Sequence, residues 1–235
     1  MIALLLTRRV WLLASAALAA CGGGGGSPGM APVLPVPTPE PALPPAPEPR
    51  EVVYAHYGDS LTAGGTVPRI QSHMPGTFHI DRSYGGTMVR YVLDGREPWA
   101  REPFAQAIQR DGADWIVMRW GGEVGPLRLP VDIVADVSVM VDIALAAGKR
   151  VALVGAFDAP LTDAITPEIR ALYMEVDERL RVLAAERAIT FVELLSIPVP
   201  PEDMYDTVHP GAAAQERHAR HIARQLVSLL PPRSH

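Results

Sequence analysis

The sequence predicts an α/β protein built on a mostly parallel, five-stranded sheet with helices on both faces. Two observations carry this. From residue 51 onward, short apolar and β-branched runs alternate with longer stretches of helical period, and strands separated by helices pair in parallel beneath their crossovers. The residues able to do chemistry also cluster where such a sheet places its ligands, beyond the carboxyl ends of the strands. Gly58-Asp59-Ser60-Leu61 follows the first strand, and Asp206-Thr207-Val208-His209-Pro210 stands between the last strand and the last helix.

The elements follow in order. Residues 52–57 read as strand one. Residues 67–74 read as a helix, with Pro68 tolerated in its first turn, and 78–81 as a short second strand. Segments 87–93 and 103–110 look helical. Strand three, 115–119, is entered from the turn signal Asp111-Gly112. Residues 131–147 place Ile133, Val134, Val137, Val141 and Leu145 at helical spacing, and Gly148 is a natural stop. Strand four is 150–154. The long helix 167–187 begins at Pro167 and gathers Ile169, Leu172, Tyr173, Val176, Leu180 and Leu183 on one face. Strand five is 189–194, and a final helix runs over 211–230.

The first fifty residues do not belong to that pattern. A basic start ending in Arg8-Arg9 precedes an apolar run over 10–20 and then Leu18-Ala19-Ala20-Cys21. This is the layout of an export signal, and the run is too short to span a bilayer, which takes roughly 20 apolar residues. The stretch resembles a bacterial lipoprotein lipobox. The resemblance implies cleavage after residue 20 and lipidation of Cys21, the chain's one cysteine. Gly22 after the cysteine leans toward the outer membrane. Residues 21–50 then read as a tether: a glycine run over 22–26, followed by ten of the chain's 24 prolines between Pro28 and Pro49. Such a segment stays extended and cannot bury a core. The division is therefore signal 1–20, tether 21–50 and a domain over 51–235, held to the membrane by a lipid anchor. The net charge of −5 argues against a nucleic-acid partner, which calls for a basic face.

A serine hydroxyl needs a base within reach, and the base needs an orienting partner. Asp206, three residues before His209 in a loop closed by Pro210, can fold back on the imidazole and fix its tautomer. Read alone, that loop could also be a helix-capping turn, and Gly58-Asp59-Ser60 an ordinary turn. Together the two motifs resemble the first and last blocks of the SGNH (GDSL) hydrolase superfamily, over almost the whole of 51–230. The resemblance implies a flavodoxin-like three-layer α/β/α fold and ester hydrolysis through an acyl-serine, without cofactor or metal. Ser60 would be the nucleophile, His209 the general base and then acid, and Asp206 its orienter. The Ser60 N–H and a glycine N–H from the second block would form the oxyanion hole. Asp81-Arg82-Ser83-Tyr84-Gly85-Gly86-Thr87 looks like that block, with Gly86 as the donor and Gly85 as the alternative.

The third block departs from the family's Gly-x-Asn. Trp120-Gly121-Gly122-Glu123-Val124 carries Glu123 where the asparagine should stand. An ionised glutamate cannot donate to an oxyanion, and losing one such donor costs about 3–4 kcal/mol. Three outcomes are open: a protonated Glu123; a Glu123 turned away, leaving Ser60, Gly86 and Gly122 N–H groups; or a weak site that serves binding. Arg119 and Arg90 are candidate ion-pair partners for Glu123. Asp59 reads as a structural acceptor of nearby backbone N–H groups. His56 and Tyr57 line the pocket or pack beneath it, His218 and His221 read as a solvated helix face rather than a metal site, and Asp132, Asp136 and Asp142 as polar helix positions. The resulting expectation is a serine esterase acting on small, acetyl-like esters at the cell envelope, such as an acylated glycan. The rivals are an acyltransferase on an envelope glycan and a non-catalytic binding lipoprotein disabled by Glu123.

Overall fold

A computed structural model describes residues 51–125 and 128–230. The predicted signal, Cys21 and the whole of the tether lie outside the described residues. Five strands form one sheet: β1 (Val52–Gly58), β2 (Thr77–Ser83), β3 (Trp115–Arg119), β4 (Arg150–Asp158) and β5 (Thr190–Pro198). Their spatial order is β2-β1-β3-β4-β5, and every pairing is parallel, not merely most.

Among the described residues seven α-helices connect or follow them: α1 (Ser60–Ala63), α2 (Thr66–Ser72), α3 (Val89–Asp94), α4 (Phe104–Asp111), α5 (Pro130–Ala146), α6 (Pro167–Glu186) and α7 (Ala212–Val227). Strand side chains alternate between two cores. Ala55, Tyr57, Ile116, Met118, Val151 and Leu153 pack with α3, α4, α5 and α6. Tyr54, Trp115, Val117, Ala152 and Val192 pack with Ile70 of α2 and with Ala219, Ile222 and Leu226 of α7. The result is three layers, with the carboxyl ends of β1, β3 and β4 opening on one edge.

The differences from the sequence reading have local causes. β4 and β5 run about four residues past their predicted ends. Their ladder is irregular between Val154 and Asp158, and there the Asp177 carboxylate takes the Ala156 N–H (2.8 Å) in place of a strand partner. Helix α1 escaped the reading because a single turn has no periodicity to detect. His218 corrects the solvated-face expectation: it is fully buried, on the same face of α7 as Ile222, with its ring 5.7 Å from that of Phe157. Burial, aided by the nearby charge of Arg119, pushes that imidazole down to about 3. Asp136 corrects its expectation too, being buried and ion-paired with both Arg90 and Arg128.

Candidate active site

The chain leaves β1 at Gly58 and turns at once into α1. A side chain at position 58 could not fit, because its Cβ would lie 2.6 Å from the Arg119 carbonyl oxygen and overlap the Thr62 hydroxyl. Glycine therefore lets β1 end hard against β3. Asp59 is the N-cap of α1. Its carboxylate accepts from Leu61 N–H (2.9 Å), and its other oxygen accepts from Gly121 N–H (3.1 Å) and Gly122 N–H (2.7 Å). One buried carboxylate thus ties the nucleophile's turn to the loop after β3. Burial raises its pKa, opposed by those N–H donors and by Arg119. Arg119 closes the floor: its Nη1 donates to the Leu61 carbonyl (3.0 Å). Burial lowers this guanidinium to about 10 despite the nearby Asp59.

Ser60, the first residue of α1, projects toward the loop after β5. A 3-10 turn over Pro201–Asp203 and an antiparallel bridge between Met204 and Pro210 pinch that loop into a tight excursion. Within it, Asp206 accepts the N–H groups of Val208 (2.8 Å) and His209 (2.7 Å). Its Oδ2 lies 2.8 Å from His209 Nδ1, and His209 Nε2 lies 2.9 Å from Ser60 Oγ. Desolvation would raise the Asp206 carboxyl, but the His209 backbone and ring, with the Val208 N–H, hold it down to about 2. It is therefore an acceptor at any ordinary pH. Nδ1 then carries the imidazole proton and Nε2 presents a lone pair to the serine. Thr162 braces the loop from outside, its hydroxyl donating to the Thr207 carbonyl (2.6 Å).

The second block lies beside the nucleophile's strand. Gly58 pairs with Ser83 in the ladder, and Tyr84 N–H donates to the Gly58 carbonyl (3.1 Å). Gly86 follows two residues later with φ 71°, a left-handed conformation that favours glycine. Among the described residues neither the Gly86 N–H nor the Ser60 N–H donates to a backbone carbonyl. Gly86 is exposed.

Glu123 is turned away from this arrangement. Its Oε1 accepts the Val89 N–H at the start of α3 (3.1 Å), and its Oε2 pairs with Arg128 Nε (3.1 Å). The partner is neither of the two arginines expected: Arg119 is committed to Leu61, and Arg90 to Asp136 and Asp94. Burial raises the Glu123 carboxyl, against the Val89 and Arg128 bonds that lower it. Gly122 is also corrected as an oxyanion donor, since Asp59 already holds its N–H. His56 and Tyr57 both lie buried beneath the site. Among the described residues no group of three or more metal-ligating side chains is gathered.

A pocket of about 480 Å³ opens beside Ser60, His209 and Asp206 and is also lined by Arg69, Tyr205 and Gln215. None of these last three was singled out from the sequence. Arg69 and Gln215 belong to amphipathic helices and carry no motif. Tyr205 had one signal, its place directly before Asp206.

No protein-family model matches the chain, and no curated protein matches it in sequence. Its fold is nevertheless that of solved SGNH/GDSL-type hydrolases. Est24, a carbohydrate acetylesterase from Sinorhizobium meliloti, superposes with a TM-score of 0.61 at 17% identity, covering 77% of this chain and 100% of that one. The inhibitor-bound aryl esterase of M. smegmatis gives 0.62 at 16% identity, covering 76% and 100%. A GDSL-like lipase from Bacteroides thetaiotaomicron gives 0.59 at 17% identity, covering 76% and 89%.

Proposed function

We propose that this chain is a serine esterase that hydrolyses small, acetyl-like esters through an acyl-serine intermediate at the cell envelope, anchored by a lipid on Cys21. The observation that carries the reading is the unbroken line from Ser60 Oγ to His209 Nε2 (2.9 Å) and from His209 Nδ1 to Asp206 Oδ2 (2.8 Å). The fold, shared with esterases and a lipase, supports a hydrolase in general.

In this mechanism His209 Nε2 takes the Ser60 proton as Oγ bonds to the ester carbonyl carbon. The carbonyl oxygen becomes an oxyanion, held by the Ser60 and Gly86 N–H groups. Backbone donors suit this task because they are fixed before the charge develops. The imidazolium, steadied by Asp206, then gives its proton to the leaving oxygen as the carbon–oxygen bond breaks. Water enters, His209 takes its proton, and the hydroxide attacks the acyl-serine. The acid departs as Oγ recovers its proton. The same sequence with a sugar hydroxyl in place of water would make a transferase. Hydrolysis is preferred because the triad is open to solvent, with the His209 and Asp206 side chains partly exposed. The binding-only reading loses its main support once the Glu123 charge is directed at Val89 and Arg128.

The test is hydrolysis of 4-nitrophenyl acetate by the full chain and by Ser60→Ala. Turnover reduced about a thousandfold or more in the variant is the expected result. Equal background rates in both proteins, with acetate, butyrate and longer esters alike, would overturn the reading.

A further inference from the structure

Resting on the esterase reading, we propose that the pocket beside His209 receives the alcohol half of the ester, and that this alcohol is a sugar bearing a carboxylate, stacked on Tyr205 and paired with Arg69.

The side of the site follows from the chemistry. His209 must hand its proton to the leaving oxygen, so the leaving group lies on the imidazole's side of Ser60. The pocket of about 480 Å³ is on that side: Ser60, Asp206 and His209 line it, and the Gly85-Gly86 turn does not. Its size falls within the range of small-molecule sites, about 300–1,000 Å³. Methanol or ethanol would leave it largely empty, whereas one or two sugar rings fill it.

The nature of the alcohol follows from the walls. Tyr205 is 82% exposed yet fixed by its backbone, because its N–H donates to the His209 carbonyl (2.8 Å) and the Met204–Pro210 bridge closes the loop around it. An exposed aromatic ring at the mouth of the pocket offers a flat apolar face with a polar rim, which matches the C–H face of a pyranose. Elsewhere in the lining, the glycines after Ser60 make room for two polar side chains. A Cβ at Gly64 would come within 2.7 Å of Gln215 Nε2, and one at Gly65 within 2.7 Å of Arg69 Nη1. Gln215 donates to the Pro210 carbonyl (2.9 Å), and Arg69 to the Gly65 carbonyl (2.6 Å).

Charge selects among sugars. The pocket's lining carries two formal charges, Asp206 and Arg69. Asp206 is satisfied by its own loop and by the His209 ring. Arg69 meets no carboxylate among the described residues; its one bond goes to a backbone carbonyl. Its guanidinium is the charge left for a ligand, and a planar fork of donors favours a carboxylate.

The test separates this pocket from the chemistry at Ser60. Full-length Ser60→Ala protein is titrated by calorimetry with digalacturonic acid and with galactobiose, its uncharged counterpart. The acidic disaccharide should bind at least tenfold more tightly, and Arg69→Gln should abolish that preference. Tyr205→Ala should weaken both sugars about tenfold. Equal affinity for the two sugars, binding of neither, or a preference that survives Arg69→Gln would overturn the proposal. In parallel, the wild-type chain is assayed on the acetylated forms of both sugars and on 4-nitrophenyl acetate. Acid-selective binding without turnover of any ester leaves the pocket standing and sinks the esterase. Turnover of small esters without acid-selective binding does the reverse.

Discussion

Asp59 holds the nucleophile's turn against the loop after β3. It is 2% exposed and accepts three backbone N–H groups from two loops. Asp59→Asn puts an NH₂ donor against N–H donors on one side, so at least one buried amide is left without a partner, which costs about 1–3 kcal/mol. The variant should unfold at correspondingly lower urea and lose at least tenfold in kcat on 4-nitrophenyl acetate; full activity at lowered stability would mean that the turn holds Ser60 without it. Glu123 should behave in the opposite way. Glu123→Gln keeps an acceptor for Val89 but loses the charge opposite Arg128, so stability should fall by about 1–2 kcal/mol while the rate on the same ester stays within about threefold. A hundredfold rate loss would put the carboxylate back in the reaction. Ser60, Asp206 and His209 were legible because each sits in a short motif at a strand end. The Glu123 substitution was legible too, but its partners were not: Val89 and Arg128 meet it only through the packing of α3 against the loop after β3. The Gly122 N–H was misjudged for the same reason, since its acceptor Asp59 is 63 residues away.

At the scale of elements, β1 and β2 share a buried polar chain whose proton positions follow from geometry. The Thr77 hydroxyl donates to the Met74 carbonyl (2.6 Å), so its oxygen accepts from His79 Nε2 (2.9 Å). His79 Nδ1 is then a lone pair that accepts from His56 Nε2 (2.8 Å). Tyr54 stacks on His79 from the same face. Both imidazoles are neutral: burial pushes His79 down to about 4, and burial together with His79 pushes His56 well below the usual range. The unfolded chain, with histidine near 6.5, binds more protons than the folded one between about pH 4 and 6.5. Stability from this pair is therefore level above pH 6.5 and is lost as the pH falls through that window, by about 3 kcal/mol for His79. His79→Gln retains a donor for Thr77 and removes that residue's own titration, leaving His56's, so urea unfolding from pH 7.5 to 4.5 should show a flatter profile than wild type. An unchanged slope would locate the acid sensitivity elsewhere, with buried His218 the next candidate. The sequence marked β1 and β2 as strands but read His56 only as near the site, because a run such as Val52–Gly58 does not say which neighbour its alternate residues will face.

For the whole molecule, the order of strands and helices was readable because burying a strand on both faces and covering it with amphipathic helices leaves a strong periodic imprint. What escaped was irregular: the one-turn α1, the bulged ends of β4 and β5, and the burial of His218 within an otherwise polar helix. Among the described residues the buried hydrophobic ones run from Tyr54 to Leu226, a core closed within the predicted domain. A chain beginning at Glu51 should therefore keep the melting temperature and the ester turnover of the full protein. Attachment should behave independently of folding. No helix among the described residues is long and apolar enough to cross a membrane. On the proposed reading the acyl chains on Cys21 hold the protein, each buried methylene adding about 0.8 kcal/mol. In a bacterial host the wild-type chain should incorporate labelled palmitate and sediment with the membranes. Cys21→Ser should do neither while keeping its specific activity. Wild-type protein that fractionates as soluble would remove the anchor from the proposal and leave the Ser60 chemistry untouched, because the ester assay reads Ser60 and fractionation reads Cys21.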